Sequence, residues 1–235
     1  MKLFNISTPS AIKASQSDPN FKVYAREDGG EVELLIMEQI GEDGWGDGVS
    51  ATSVVNFLNE HRTSRVNVRI NSPGGFVYDG MVMFNELKQR EPKVTVTIEG
   101  LAFSAASFLA MAGDHVRMHE VSDFGIHRAW GMAIGNANAM RGLAEWLDTV
   151  DEHLVDIYEN KSGQSRDQLN EWLDGVDDGT LFSAKEAVAA GFADELIPLS
   201  PPSDDDPANQ AKAYGRQHLS ILNRGRRIKN GLTVI

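Results

Sequence analysis

The sequence contains no cysteine among its 235 residues. Disulfides, a thiol nucleophile and cysteine-ligated zinc are thereby excluded. No apolar run approaches the roughly 18 residues that a membrane-spanning helix needs. The opening "MKLFNISTPSAIK" also lacks the continuous apolar centre of a secretory signal. These absences predict a soluble chain of the cytoplasm with no membrane partner. Positive charge is scarce as well, 22 Lys and Arg against 34 Asp and Glu for a net −12. A phosphate backbone repels such a surface, so no nucleic-acid partner is expected.

What basic charge there is gathers at one end. Beyond Pro198, Lys212, Arg216, Arg224, Arg226, Arg227 and Lys229 face only Asp204, Asp205 and Asp206, which leaves 199–235 at +3 and 1–198 at −15. Such a tail is either solvated or suited to an acidic partner, its own body included. "LSPPSDDDPANQ" has linker composition. Residues 1–20 carry few apolar anchors and read as an N-terminal arm. The expected organisation is that arm, one domain over 21–198, and a linker with a basic tail over 199–235.

Within the domain, "FKVYARE" and "VELLIMEQI" read as strands around a "DGG" turn, and Ser50 caps a helix running to His61. Strands "RVNVRI", "KVTVTI" and "HVRMHE" then alternate with helices over Phe76–Arg90 and Ser104–Ala112. This rhythm predicts an α/β fold, a mainly parallel sheet between helices, with ligands bound beyond the strands' carboxyl ends. A long helix is expected from about Asn136 to Lys161, with an apolar stripe at Leu143, Leu147, Val150, Leu154 and Ile157. "SRDQ" and "SAKE" each match a capping box, and Gly191 is placed to end the second of those helices.

Two stretches at strand ends carry chemistry. Ser72-Pro73-Gly74-Gly75 suits a type II turn with Gly74 at positive φ. Its second glycine leaves a backbone N–H that a ligand can approach closely. In "GLAFSAASFLAMAG", Ser104 opens a helix, where it is either a cap or a nucleophile whose neighbour Ala105 offers a second free N–H. A serine nucleophile needs an imidazole base held by a third group. Of six histidines, His61, His153 and His218 have solvated readings. His115 and His119 share a strand face but lack a third ligand, so no metal is expected. His127 in "FGIHRAWG" ends a short apolar strand between glycines, the best geometry for a base reaching into a cleft.

Taken in order, "INSPGG", "GLAFSAA", "GIHRAWG", "IYENKSGQS" and "DGTLFSAKEAVAAGFADELI" resemble the Clp protease proteolytic subunit (ClpP) family of serine peptidases, over roughly Val32 to Ile197. The resemblance implies a crotonase-like fold with a protruding helical handle, homo-oligomeric rings (heptamer or double heptamer), polypeptide substrates and no cofactor. Carried over by residue, it makes Ser104 the nucleophile, His127 the base, and Gly75 and Ala105 the oxyanion donors. The family's aspartate falls on Gly179, so the acid shifts to Asp178, or alternatively Asp177. Phe103 replaces the family's small residue before the nucleophile, which narrows the cleft.

Substrate would lie extended beside Gly74, Gly75 and Phe76 on one side and Arg128, Ala129 and Trp130 on the other. Subunit contacts would use the long helix and "WGMAIGNANAM". The N-terminal leader, the tail and the departures above most resemble the ClpP-type head maturation (prohead) proteases of tailed bacteriophages. That resemblance implies cleavage of scaffold or capsid proteins during assembly, in the host cytoplasm or the prohead interior. The alternatives are a housekeeping ClpP-like peptidase working with an unfoldase, an acyl-CoA hydratase or isomerase on the same fold, and a catalytically inactive ClpP-like assembly protein.

Overall fold

The computed structural model describes residues 27–28, 31–41, 48–176 and 179–199. The expected arm, most of the "FKVYARE" strand, the linker and basic tail, and both Asp177 and Asp178 lie outside the described residues. The chain divides into two units, Met1–Ile197 and Pro198–Ile235. Every described strand and helix belongs to the first.

Strands β1 (Glu27–Asp28), β2 (Glu31–Ile36), β3 (Arg65–Ser72), β4 (Val94–Phe103), β5 (His115–His119), β6 (Asp123–Ile126), β7 (Thr180–Ser183) and β8 (Glu195–Ile197) form one sheet. Its main order is β1-β2-β3-β4-β5-β8, and β6 pairs β4 and β7 off that path. Every pairing is parallel except β1 with β2 and β6 with β7. Between the strands run α1 (Ala51–Glu60), α2 (Val77–Lys88), α3 (Ala105–Ala110), α4 (Ala137–Ser162), α5 (Arg166–Asp174) and α6 (Ala184–Ala189). The α/β fold with a mainly parallel sheet is as the sequence predicts.

The two faces of the sheet differ. Val32, Leu34 and Ile36 of β2, Val66, Val68 and Ile70 of β3, Val94, Val96 and Ile98 of β4 and Val116 and Met118 of β5 are all buried. That period of two sends every other residue to the opposite face. There Arg69 bridges Glu99 at 2.6 Å and Glu33 at 3.6 Å, and His119 reaches Glu99 at 3.5 Å. These side chains are roughly a quarter to a third exposed. A sheet covered by helices on both faces would bury continuous apolar runs. This chain instead alternates, and one face stays polar and partly solvated.

Most helix boundaries follow local chemistry. Ser50, Asn136, Ser165 and Ser183 each accept a backbone N–H as N-cap. Only "SAKE" closes both halves of the capping box. In "SRDQ" the Gln168 amide turns to Glu171 instead. Gly191 follows the end of α6 at φ +87°, as expected. The stripe of α4 is buried at Val150 and Leu154 and only half-buried at Leu143 and Leu147, so α4 packs by its second half. Two short strands, β7 and β8, and the extension of β4 past Ile98 are additions to the expected elements.

Candidate active site

The site stands at the carboxyl ends of β3 and β4. Ser72 is buried, and its Oγ donates to the Glu38 carbonyl at 2.5 Å and accepts from the Gly74 N–H at 3.1 Å. Gly74 has φ +91°, the value a type II turn needs after proline. A Cβ there would stand 2.6 Å from both the Phe103 carbonyl oxygen and Ser104 Cβ, and 2.7 Å from the Ala105 nitrogen. The turn therefore touches the start of α3 directly, and only glycine permits it.

Gly75 is held by its neighbours. Ile40 donates to the Gly74 carbonyl at 2.8 Å and accepts from Phe76 N–H at 2.8 Å. In such a parallel bridge the middle residue's own N–H points away from the partner strand. Among the described residues, neither the Gly75 nor the Ala105 N–H donates to any acceptor. Two free amides meeting at one cleft are what a developing oxyanion requires.

β4 ends at Phe103, and Ser104 follows at φ 56°, ψ −126°. It is the one non-glycine residue at positive φ among the described residues, a conformation costing about 1–3 kcal/mol. Its N–H donates to Gly125 O of β6 at 3.1 Å, which fixes the strand end. Of the two readings the sequence left open, the cap finds no support, because the Ser104 side chain makes no cap hydrogen bond.

His127 follows β6 directly and lines the same cleft as Ser104. In this free chain no hydrogen bond joins the two side chains. Phe103 stacks on the imidazole, ring centroids 5.0 Å apart and planes within 19°. Besides narrowing the cleft, that phenyl ring covers one face of the base. It fits because position 125 is glycine, whose missing Cβ would overlap the Phe103 ring. Gly179, at φ +140°, packs on the end of β6 so closely that a Cβ would lie 2.5 Å from the Ile126 carbonyl oxygen and 2.6 Å from His127 Cβ. Among the described residues no carboxylate bonds the imidazole.

The cleft has a volume of about 630 Å³ and takes in Phe76, Phe108, Trp130, Met132, Trp146 and Leu154. Phe76 and Trp130 stand exposed at its rim. The Arg128 guanidinium is committed to α4 and α5, with 2.6 Å to Asp174, 3.1 Å to Asn170 and 3.4 Å to Asp151. The Ala129 N–H donates to buried Asp151 at 2.8 Å. At 128 and 129 the guanidinium and the Ala129 N–H are thus already engaged by α4 and α5. His115 pairs with Glu195 at 2.9 Å, and no cluster able to hold a metal occurs among the described residues.

Sequence reasoning named Ser107 only as a fallback nucleophile and missed its pairing with Tyr158. The Ser107 hydroxyl lies 2.7 Å from the Tyr158 hydroxyl of α4, and both are buried. Each reads alone as helix core, and their partnership spans 51 residues.

A strained serine at the end of a parallel strand, an imidazole lining the same cleft and two unpaired amides are the kinds of group that acyl transfer by a serine uses. The chain belongs to the Clp protease family, a family of serine-type peptidases, whose model matches residues 30–199. Among curated relatives, subunit 1 of the ATP-dependent Clp protease proteolytic component from Synechococcus sp. (strain CC9902) is 33% identical over 134 residues. Subunit 2 from Parasynechococcus marenigrum (strain WH8102) is also 33% identical, and subunit 2 from Synechococcus sp. (strain CC9605) is 32% identical. Each match covers 56% of this chain and 66% of the relative, so the chain spans just under two thirds of those proteins' length.

Proposed function

We propose that this chain is a ClpP-type serine endopeptidase. Ser104 Oγ attacks the scissile carbonyl carbon while His127 takes its proton. The oxyanion receives the N–H groups of Gly75 and Ala105, a contribution of about 3–4 kcal/mol per donor. Collapse breaks the C–N bond, with His127 passing the proton to the leaving amine, and water then hydrolyses the acyl-enzyme. Asp178 is the acid we assign to orient His127, with Asp177 as the alternative, because Gly179 beside them packs against His127. The observation that carries this reading is the backbone of Ser104, strained and uncapped between a base and two free amides.

In free enzymes the nucleophile–base hydrogen bond is often loose and tightens around substrate. An extended peptide fits between the Gly74–Phe76 and Arg128–Trp130 backbones, and the apolar cleft suits an apolar side chain beside the scissile bond. Trp130, Met132 and Ile134 are 79–91% exposed and form the face we assign to contact between copies in a homo-oligomeric ring.

Within the family we favour a head-maturation protease acting on scaffold or capsid protein inside the host cytoplasm or prohead. The support is the charge split between an acidic domain and a basic tail suited to an acidic partner. A housekeeping peptidase fed by an unfoldase fits the relatives equally well. Incubating wild type and Ser104→Ala, followed by intact-mass measurement and fluorophosphonate labelling, tests the core reading. Labelling and peptide cleavage by wild type, both abolished in Ser104→Ala with its melting temperature kept, are expected. An unlabelled wild type that still assembles would favour the inactive assembly protein. Binding of acyl-CoA with no labelling would favour the hydratase reading.

A further inference from the structure

A chain of hydroxyls leads from α4 to the backbone of the nucleophile. Tyr158 lies on the buried face of α4, 2.7 Å from Ser107 Oγ. Ser107 Oγ lies in turn 2.6 Å from the Ser104 carbonyl oxygen, which also accepts the Ser107 N–H at 2.9 Å. A carbonyl can only accept, so the single Ser107 hydroxyl proton goes to it. Ser107 Oγ must then accept from Tyr158. The chain therefore runs one way, from Tyr158 through Ser107 to the Ser104 carbonyl. Burial pushes the Tyr158 phenol well above its ordinary value, against the smaller opposing effect of its bond to Ser107, so the direction persists at working pH.

Packing gives no reason for these hydroxyls. The other residues of α3 are Ala105, Ala106, Phe108, Leu109 and Ala110, all buried and apolar. An alanine facing a phenylalanine would suit that setting and avoid the cost of burying two polar groups. What the chain does reach is one peptide plane. The Ser104 carbonyl and the Ala105 N–H belong to the same planar unit and point in opposite directions. Rotating that unit changes ψ of Ser104, the residue held at φ 56°. Fixing the oxygen therefore aims the Ala105 N–H. Ser107 itself is fully buried with its proton committed, so it is no rival nucleophile.

We infer that Ser107 and Tyr158 are positioning residues, which clamp the Ser104–Ala105 peptide plane so that the Ala105 N–H stays aimed into the cleft as an oxyanion donor. This rests on the peptidase reading. It predicts a loss felt in the transition state and not in substrate binding.

The test uses Tyr158→Phe, Ser107→Ala and the double variant of the full chain. Fluorophosphonate labelling rate, kcat and KM on a peptide substrate, and melting temperature are measured for each. The expected result is about a tenfold or greater fall in kcat and labelling rate with KM within about twofold. The double variant should be no worse than Ser107→Ala alone, since both cut one chain. Should Ser107→Ala unfold below the assay temperature, Tyr158→Phe decides by itself. Wild-type labelling with folded variants reacting at the wild-type rate would overturn this inference and leave the peptidase reading intact. Loss carried in KM would also overturn it. An unlabelled wild type would sink the peptidase reading and this inference with it.

Discussion

The two halves of β4 are built to different rules. Val94–Ile98 pairs in unbroken register with β3 on one side and, from Thr95 on, with β5 on the other, and its three inward residues are essentially unexposed. Past Ile98 the register with β3 slips between Ile70 and Ser72. The neighbour β5 gives way to β6, and the strand ends on the strained Ser104. Regular pairing consumes backbone donors, so unpaired N–H groups arise only where a ladder stops. Here the half with every bond satisfied supplies the support, and the half with interrupted bonds supplies the amides and the serine.

The sharpest way to break this comparison is to crowd the irregular half. In Gly74→Ala the new methyl meets Phe103, Ser104 and Ala105 at once, at a φ that alanine avoids. Fluorophosphonate labelling should fall at least about a hundredfold, with about 1–3 kcal/mol lost from stability. Near-wild-type labelling would mean that the turn does not shape the site.

The converse substitution addresses the regular half. Ile98 is fully buried between Ile70 and Met118, and Ile98→Ala should cost about 2–5 kcal/mol in urea unfolding. At a temperature where the variant is still folded, its labelling rate should stay within about threefold of wild type. A folded Ile98→Ala with a dead serine would erase the division between the two halves.

The same division separates what was legible in the sequence from what was not. Alternation in "RVNVRI", "KVTVTI" and "HVRMHE" announced three strands, and serine caps announced helices, because these signals are local. Gly74 was legible through its proline, and Ser104 and His127 through their places at strand ends. "GLAFSAA" has no alternation, so the rest of β4 could not be read as strand. It becomes one by pairing with β6, about twenty residues away along the chain, and with Ser72 of β3 past the register slip. β7 and β8 are too short to show a period. The Phe103–His127 stack and the Ser107–Tyr158 bond join residues whose partners no local pattern specifies. The solvated polar face was misread: the rhythm of strands and helices suggested a sheet between helices, although the alternation within those same strands fits a sheet with one polar, partly solvated face.

The smallest expected effect concerns the far edge of the regular half, where Asp194 ties β5 to α4. Its carboxylate accepts the Val116 N–H at 2.7 Å and the Lys161 ammonium at 2.7 Å. Burial pushes this carboxyl up, but the Lys161 hydrogen bond, the Val116 N–H and the charges of Lys161 and His115 together hold it below the ordinary aspartate value. A carboxyl depressed by folding adds stability that is complete above its unfolded value of about 3.9 and is lost as pH falls through the folded value. Asp194→Asn should therefore melt below wild type at neutral pH, and the gap should close as pH drops below about 4. A gap of constant size down to pH 3 would show that the tie is not ionic. Because β5 pairs only with Thr95–Ile98 of β4, labelling of Ser104 at neutral pH should stay within about twofold in this variant. A larger fall would mean that α4, which carries Tyr158 one turn before Lys161, passes the loss of its anchor on to the irregular half.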